Sequence, residues 1–387
     1  MNRVVLVEST KQNSITKREF LRRCAFCTGG LALGAYNTNW FSLPSSIDLG
    51  KWSKEAFFYR KTADGLQCEK CPQGCLLLND GDVGFCRSRV ASNGKMYTIA
   101  YGNPCAVHID PIEKKPFFHF LPATRAFSIA AAGCNFRCLN CQNWQISQVS
   151  PKESDNIDLM PEEVIKACMN SGSESIAYTY SEPTTFYEYA YDTAKLARSK
   201  KICNLLKSNG YINEKPLRQL CNVLDAANID LKIFDEEIYK KLSSGKLAPV
   251  LRTLKVLREE GVWLEITNLV IPTWTDNFDT IKRMCEWLCT NGLSDAPLHF
   301  SRFTPLYKLS QLPSTPTTTL EKAYTVASKS GIQYIYLGNV AGHWAENTCC
   351  YRCKKIIVER SAYTILANHV VKGKCGFCGE KIPGVWR

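Results

Sequence analysis

The sequence predicts an α/β protein whose centre is a run of parallel βαβ units in a layer or barrel, flanked by cysteine-rich modules. Two observations carry this. Between about residues 125 and 338, short β-rich runs alternate with helical stretches, the pattern of parallel strands joined by crossover helices. Outside that run the cysteines fall into compact sets with metal-ligand spacing.

In chain order, strands are expected over 127–132, 175–180, 202–206, 228–233, 263–270, 298–303 and 334–337, because these runs are apolar and rich in β-branched or aromatic residues. Helical patterns near 161–170, 185–199, 214–224, 247–259, 277–290 and 320–330 lie between them. Pro161 followed by Glu162 and Glu163 is a helix start, with fixed φ at the first position and acidic side chains on the positive end of the helix dipole. The loop after the first strand lies at the carboxyl rim, where the active sites of such barrels gather.

A chain of 387 residues that is 45% hydrophobic can bury a large core and is not disordered as a whole. Its formal charge of +12 is spread along the chain, which argues for solvated faces and a basic N-terminal segment over nucleic-acid binding. Twenty cysteines mean disulfides in a secreted protein or metal sites in a reduced compartment, and the spacing favours metal. Cys168, Cys203, Cys221, Cys285 and Cys289 fall in helix or strand patterns and read as small buried hydrophobes.

Cys134, Cys138 and Cys141 stand at C-x3-C-x2-C directly after the first strand. Three thiolates can bind three irons of a four-iron cluster and leave the fourth iron open for chemistry; zinc is the alternative for thiolate ligands taken alone. In its position after a strand the motif resembles the radical S-adenosylmethionine (SAM) signature. That resemblance implies a partial (β/α)6 barrel, a 4Fe–4S cluster and SAM chelated by the open iron. Reductive cleavage then gives methionine and a 5′-deoxyadenosyl radical that abstracts hydrogen from a substrate. The residue before the third cysteine is usually aromatic in that family and is Asn140 here, a departure that bears on adenine packing and not on the cluster.

The same resemblance assigns polar residues at successive strand ends. Glu182, in Tyr180-Ser181-Glu182-Pro183, takes the place of the Glu of a Gly-Gly-Glu-Pro-like turn that meets the SAM amino group. Lys207-Ser208-Asn209-Gly210 is similar to the Asp-Thr-Asn-Gly turn of glycyl-radical-enzyme activases, but Lys replaces the Asp, so that SAM contact is not carried over. Asp230 and Lys232 match the activases' Asp-x-Lys, where both residues approach SAM. His299 and Arg302 have no clear counterpart. Taken singly, each of these polar residues also reads as a cap, a turn or a surface ion pair.

Two further sets have four cysteines each, and so describe closed sites. Cys68, Cys71, Cys75 and Cys86 stand at C-x2-C-x3-C-x10-C; zinc and an auxiliary four-iron cluster both suit four thiolates, and the loop reads as zinc or an unmetallated knuckle in preference to a second cluster. Cys350, Cys353, Cys375 and Cys378 form two C-x2-C pairs about a strand-like run, the pattern of a zinc ribbon, with a rubredoxin-like iron as the minority reading.

Residues 1–50 read as a targeting segment or an N-terminal extension. Lys17-Arg18-Glu19-Phe20-Leu21 resembles a twin-arginine export signal with Lys for the first Arg, and residues 24–36 are a short, weakly apolar run. Cytoplasmic, membrane-associated and exported placements all stay open, and no other stretch approaches transmembrane length. Stretches that cover most of 65–387 resemble the radical SAM member of the AmmeMemoRadiSam system, a relative of pyruvate formate-lyase activating enzyme. The expected organisation is 1–50, a Cys-rich module over 51–122, the barrel over 123–343 and a ribbon-like module over 344–387. An electron donor of the flavodoxin or ferredoxin type and partner proteins of that system are implied by the resemblance. The substrate is not. A metal-stapled, non-catalytic module that binds protein or nucleic acid is the reading from a different class.

Overall fold

The computed structural model describes residues 48–386, so the twin-arginine-like segment lies almost wholly outside the described residues. Among the described residues no helix is long and apolar enough to cross a membrane. The centre is an eight-stranded mixed sheet. Its seven parallel strands, in spatial order, are Arg125–Ala130, Ser175–Tyr178, Cys203–Ser208, Ala226–Asp230, Trp263–Val270, Leu298–Arg302 and Ile335–Gly338. Sequence order equals spatial order because each crossover helix returns the chain to the next position. The count is seven, as the seven strand runs of the sequence predict, and one more than the six of the barrel that the resemblance implies.

An eighth strand, Ala106–Pro111, pairs antiparallel with Arg125–Ala130 at one edge. It moves the start of the sheet back into the stretch that the cysteine spacing groups as the 51–122 module. All of it but Asp110 is exposed or half-buried, as suits an edge, and so it lacks the continuous burial of the inner strands.

The helices form where expected. Glu163 reaches back to the Met160 N–H at 2.7 Å above Pro161–Asn170, and Asn277 accepts from the Thr280 N–H at 2.9 Å to open Phe278–Thr290. An additional helix, Glu236–Ser243, is started by Asp235 accepting from Ile238 N–H at 2.9 Å. These helices cover one face of the sheet through residues such as Leu206, Ile229, Ile266, Leu298 and Phe300, all buried.

The other face is polar in its middle strands. Strand register puts Lys207 beside Asn228 and Asn228 beside Glu265, and one step on, Asp230 beside Thr267 and Thr267 beside His299. Because side chains alternate along a strand, these six share one face. At its base, the carboxylate of Glu265 accepts from the backbone N–H groups of Phe118 (3.0 Å) and His119 (2.8 Å) and lies 2.7 Å from His299 Nε2. The segment around residues 117–121 thereby closes this end of the sheet. Arg360, from the C-terminal module, donates to the Phe118 carbonyl at 2.9 Å, and His119 Nδ1 lies 2.7 Å from the Pro383 carbonyl.

The N-terminal module consists of two small antiparallel sheets with a core of Ala56, Leu66, Leu77, Ala91 and Met96. It is fastened to the central sheet by a fully buried ion pair, Arg89 to Glu188 at 2.7 Å, and by Ser88 Oγ donating to the Thr185 carbonyl at 2.8 Å.

Candidate iron–sulfur and SAM site

The cluster loop leaves Arg125–Ala130 through Ala131, Ala132 and Gly133. Gly133 has φ +107°, and a Cβ there would lie 2.5 Å from the Cys86 carbonyl oxygen. Only glycine fits, so the loop and the N-terminal module meet backbone to backbone. Gly133→Ala is expected to destabilise the protein by more than about 1 kcal/mol, read as a lowered urea midpoint, since it adds both strain and overlap.

Backbone contacts pin the loop over the end of Glu236–Ser243: Arg137 N–H donates to Ser243 O and Leu139 N–H to Leu242 O, both at 2.9 Å. Asn135 donates to Tyr211 O at 2.8 Å and accepts from Asn209 Nδ2 at 2.8 Å, which ties the loop to the turn after the third parallel strand. The same Asn209 amide lies 3.9 Å from Cys134 Sγ. Cys138 is buried, whereas Cys134 and Cys141 are half-buried.

Burial raises all three thiols. Cys134 stands well above its ordinary value, through burial and then the charges of Glu182 and Cys138. Burial pushes Cys138 up to about 11 against the opposing charge of Lys232, and it raises Cys141 against the N–H of Asn143. Such thiols ionise only when a metal supplies the compensating charge, which is what a cluster-binding loop requires. Three thiols with no fourth cysteine fit a cluster with one open iron.

Glu182 is buried at the start of a short 3-10 turn. Its carboxylate accepts from Thr184 N–H (2.9 Å), Thr184 Oγ1 (2.7 Å), Ser208 Oγ (2.8 Å) and Asn209 N–H (2.9 Å). Burial nevertheless leaves its carboxyl above the ordinary value. Glu182 therefore joins the turns after the second and third parallel strands beside Cys134.

Asp230 and Lys232 pair with each other at the end of their strand, and Lys207, which the resemblance sets aside, joins them. Asp230 is bracketed by two ammonium groups: Lys232 at 3.1 Å on one oxygen and Lys207 on the other. Burial works to raise the Asp230 carboxyl, but the two charges overcome it and take it down to about 2. Lys207 also donates to Asn228 Oδ1 at 2.7 Å. The Asp-to-Lys change in this turn thus supplies Asp230 with a second cation. Glu182, Lys207, Asp230 and Lys232 form a chain of alternating charge that reaches Cys138, which feels the Lys232 charge.

His299 lies apart, buried against Glu265 with Tyr336 stacked on it at 5.1 Å, and belongs to the closed base of the sheet. Arg302 donates through Nε to the Thr315 carbonyl at 2.9 Å. Asn140 is buried with no partner for its Oδ1, so it leaves an acceptor where the family usually has an aromatic ring.

At the C-terminal set, Cys350 and Cys378 sulfurs are 3.7 Å apart and those of Cys353 and Cys375 are 3.8 Å apart. All four lie within 4.8 Å of one another.

Residues 128–288 match the radical SAM superfamily. An uncharacterized protein of Methanocaldococcus jannaschii, MJ0808, is 43% identical over 332 residues, which is 85% of this chain and 98% of that one. The chain belongs to the radical SAM superfamily. Within it, the chain is also similar to the pyruvate formate-lyase 1-activating enzyme of Escherichia coli, 28% identical over 161 residues that cover 40% of this chain and 65% of the enzyme. Among solved structures, Streptococcus suis SuiB bound to S-adenosylmethionine is similar at 11% identity and a TM-score of 0.44, over 65% of this chain and 56% of that one. Membership of the superfamily implies a 4Fe–4S cluster and SAM.

Proposed function

We propose that this chain is a radical SAM enzyme of the AmmeMemoRadiSam type in which Cys134, Cys138 and Cys141 hold the cluster and Glu182, Asp230 and Lys232 hold SAM. The observation that carries the reading is the convergence, at the ends of successive parallel strands, of three buried or half-buried thiols and an alternating chain of carboxylates and ammonium groups. When bound, the cluster supplies the electron that cleaves SAM into methionine and the 5′-deoxyadenosyl radical.

The chain's own residues bind and orient. Asp230, kept ionised by Lys207 and Lys232, offers a fixed negative charge, and Glu182 offers a carboxylate beside Cys134. Such pre-set charges bind a zwitterionic amino acid portion without reorganisation. Hydrogen abstraction from a protein glycine, as the likeness to an activating enzyme suggests, and abstraction from a small molecule are the two substrate classes. A flavodoxin- or ferredoxin-type donor is the proposed electron source.

The test is anaerobic reconstitution with iron and sulfide, then dithionite and SAM, with 5′-deoxyadenosine quantified. Formation of 5′-deoxyadenosine supports the enzyme. An intact cluster that leaves SAM uncleaved with every reductant tried would instead favour the metal-stapled binding module.

For the C-terminal set we propose zinc. A tetrahedral ion with Zn–S bonds of about 2.3 Å separates its sulfurs by roughly 3.8 Å, which the observed sulfur spacings match. About one zinc per chain is expected to be released by a mercurial and trapped by a colorimetric chelator; Cys350→Ser/Cys353→Ser should release none from this module.

A further inference from the structure

We propose that Cys68, Cys71, Cys75 and Cys86 hold a second iron–sulfur cluster rather than the zinc ion that their spacing first suggests. The deciding observation is size. Among the described residues, only the C-terminal cysteines bring three or more candidate ligand atoms within 4.8 Å of one another. The four N-terminal thiols share one neighbourhood, since Cys71 and Cys75 each feel the charges of Cys68 and Cys86, yet no three of them close to the distance a single ion needs. A four-iron cube binds each thiolate at a different corner, so its ligands stand farther apart than those around one zinc. Cys134, Cys138 and Cys141 likewise do not gather within that distance.

Charge gives the second observation. Lys70 and Arg89 are each about 1% exposed, and Glu188 offsets one of their two charges. Arg89 Nε and Nη1, beside Cys68 and Cys86, have no hydrogen-bond partner. With Glu188 engaged by one nitrogen of Arg89, the second buried charge and the idle donors are costly unless a further anion sits beside them. A centre with four thiolates is such an anion, and the sulfides of a cluster add acceptors that a zinc site lacks. Phe85 N–H already lies 3.2 Å from Cys75 Sγ, the kind of backbone donor that tunes cluster sulfur.

Position gives the third. Cys86 carbonyl abuts Gly133, and Arg137 spans the two loops, donating to Cys134 O at 3.0 Å while its guanidinium lies 3.7 Å over the Phe85 ring. The second cluster would therefore stand back to back with the first, with a cation between two anionic centres.

The test counts metal and not turnover, so it reads independently of the SAM-cleavage proposal. Protein reconstituted anaerobically with iron and sulfide is analysed for iron, acid-labile sulfide and zinc, alongside Cys134→Ser/Cys138→Ser/Cys141→Ser and Cys71→Ser/Cys75→Ser. The expected result is about eight irons per wild-type chain and about four in the triple variant, with sulfide equal to iron and a Mössbauer signal of a cubane. The Cys71→Ser/Cys75→Ser variant should lose half the iron and keep the C-terminal zinc. A triple variant that holds no iron and about two zincs per chain overturns the proposal. If either variant fails to fold, the wild-type Mössbauer area decides: two cubanes per chain support the second cluster, and one cubane with about two zincs overturns it.

Discussion

Cys138→Ala should abolish 5′-deoxyadenosine formation, a loss of at least about a thousandfold, while leaving the fold intact. Cys138 is the most buried of the three ligands in the cluster loop, and the replacement leaves two thiolates where three irons need anchoring. Alanine removes one small side chain, and the loop keeps the backbone contacts to Leu242, Ser243 and Tyr211 that shape it. Circular dichroism and the thermal midpoint should therefore change little. Cys168→Ala is the comparison: a buried thiol that packs in the core, whose loss costs stability and leaves SAM cleavage at the wild-type rate. Equal turnover by Cys138→Ala and the wild type would remove the cluster loop from the chemistry.

The largest expected change in stability comes from Glu188→Gln, which should lower the unfolding free energy by about 3–5 kcal/mol, read from urea denaturation. Arg89 and Glu188 are 1% and 0% exposed, so neutralising the carboxylate leaves a guanidinium charge without its partner. Replacing both, as Arg89→Met/Glu188→Leu, should recover a large part of the loss, because the desolvation of two charges disappears with them. The pH dependence follows from the same pair. Burial raises the Glu188 carboxyl, but the charges of Arg89 and Lys70 and the hydrogen bonds from Arg89 and Phe57 N–H overcome it and hold it below its ordinary value. A carboxyl with a depressed folded pKa contributes stability above its unfolded pKa of about 4.3 and loses that contribution as pH falls through the folded value. The stability gap between wild type and Glu188→Gln should therefore be full at neutral pH and close on acidification below about pH 4.

The parallel sheet was legible because short β-rich runs alternate with helical stretches: expected and observed strands at 263–270 coincide, and the others differ at their ends. The edge strand Ala106–Pro111 was not legible, since exposed His108, Ile109 and Pro111 and the charged Asp110 break that signal. At the site, C-x3-C-x2-C singles out the three thiols that we propose hold the cluster, because metal chemistry fixes local spacing. Lys207 was set aside as a lost aspartate, and its pairing with Asp230 depends on strand register across 23 positions, which no local pattern encodes. The same applies to Arg89 and Glu188, 99 positions apart, which no local pattern links. The metal at the first four-cysteine set was open for a different reason. Spacing along the chain gives ligand number, whereas zinc and a cubane differ in how far apart the sulfurs stand in space.

The bond between His119 and the Pro383 carbonyl joins residues 264 positions apart, and Phe120 pairs with Val385 beside it. A contact of that reach forms only after the intervening chain has been made, so it forms late relative to the sheet that it closes. The cysteine loop, the Glu182 turn and the Lys207–Asp230–Lys232 group emerge from the ribosome well before it. The three thiols of the cluster loop are therefore made while the base of the sheet is still open.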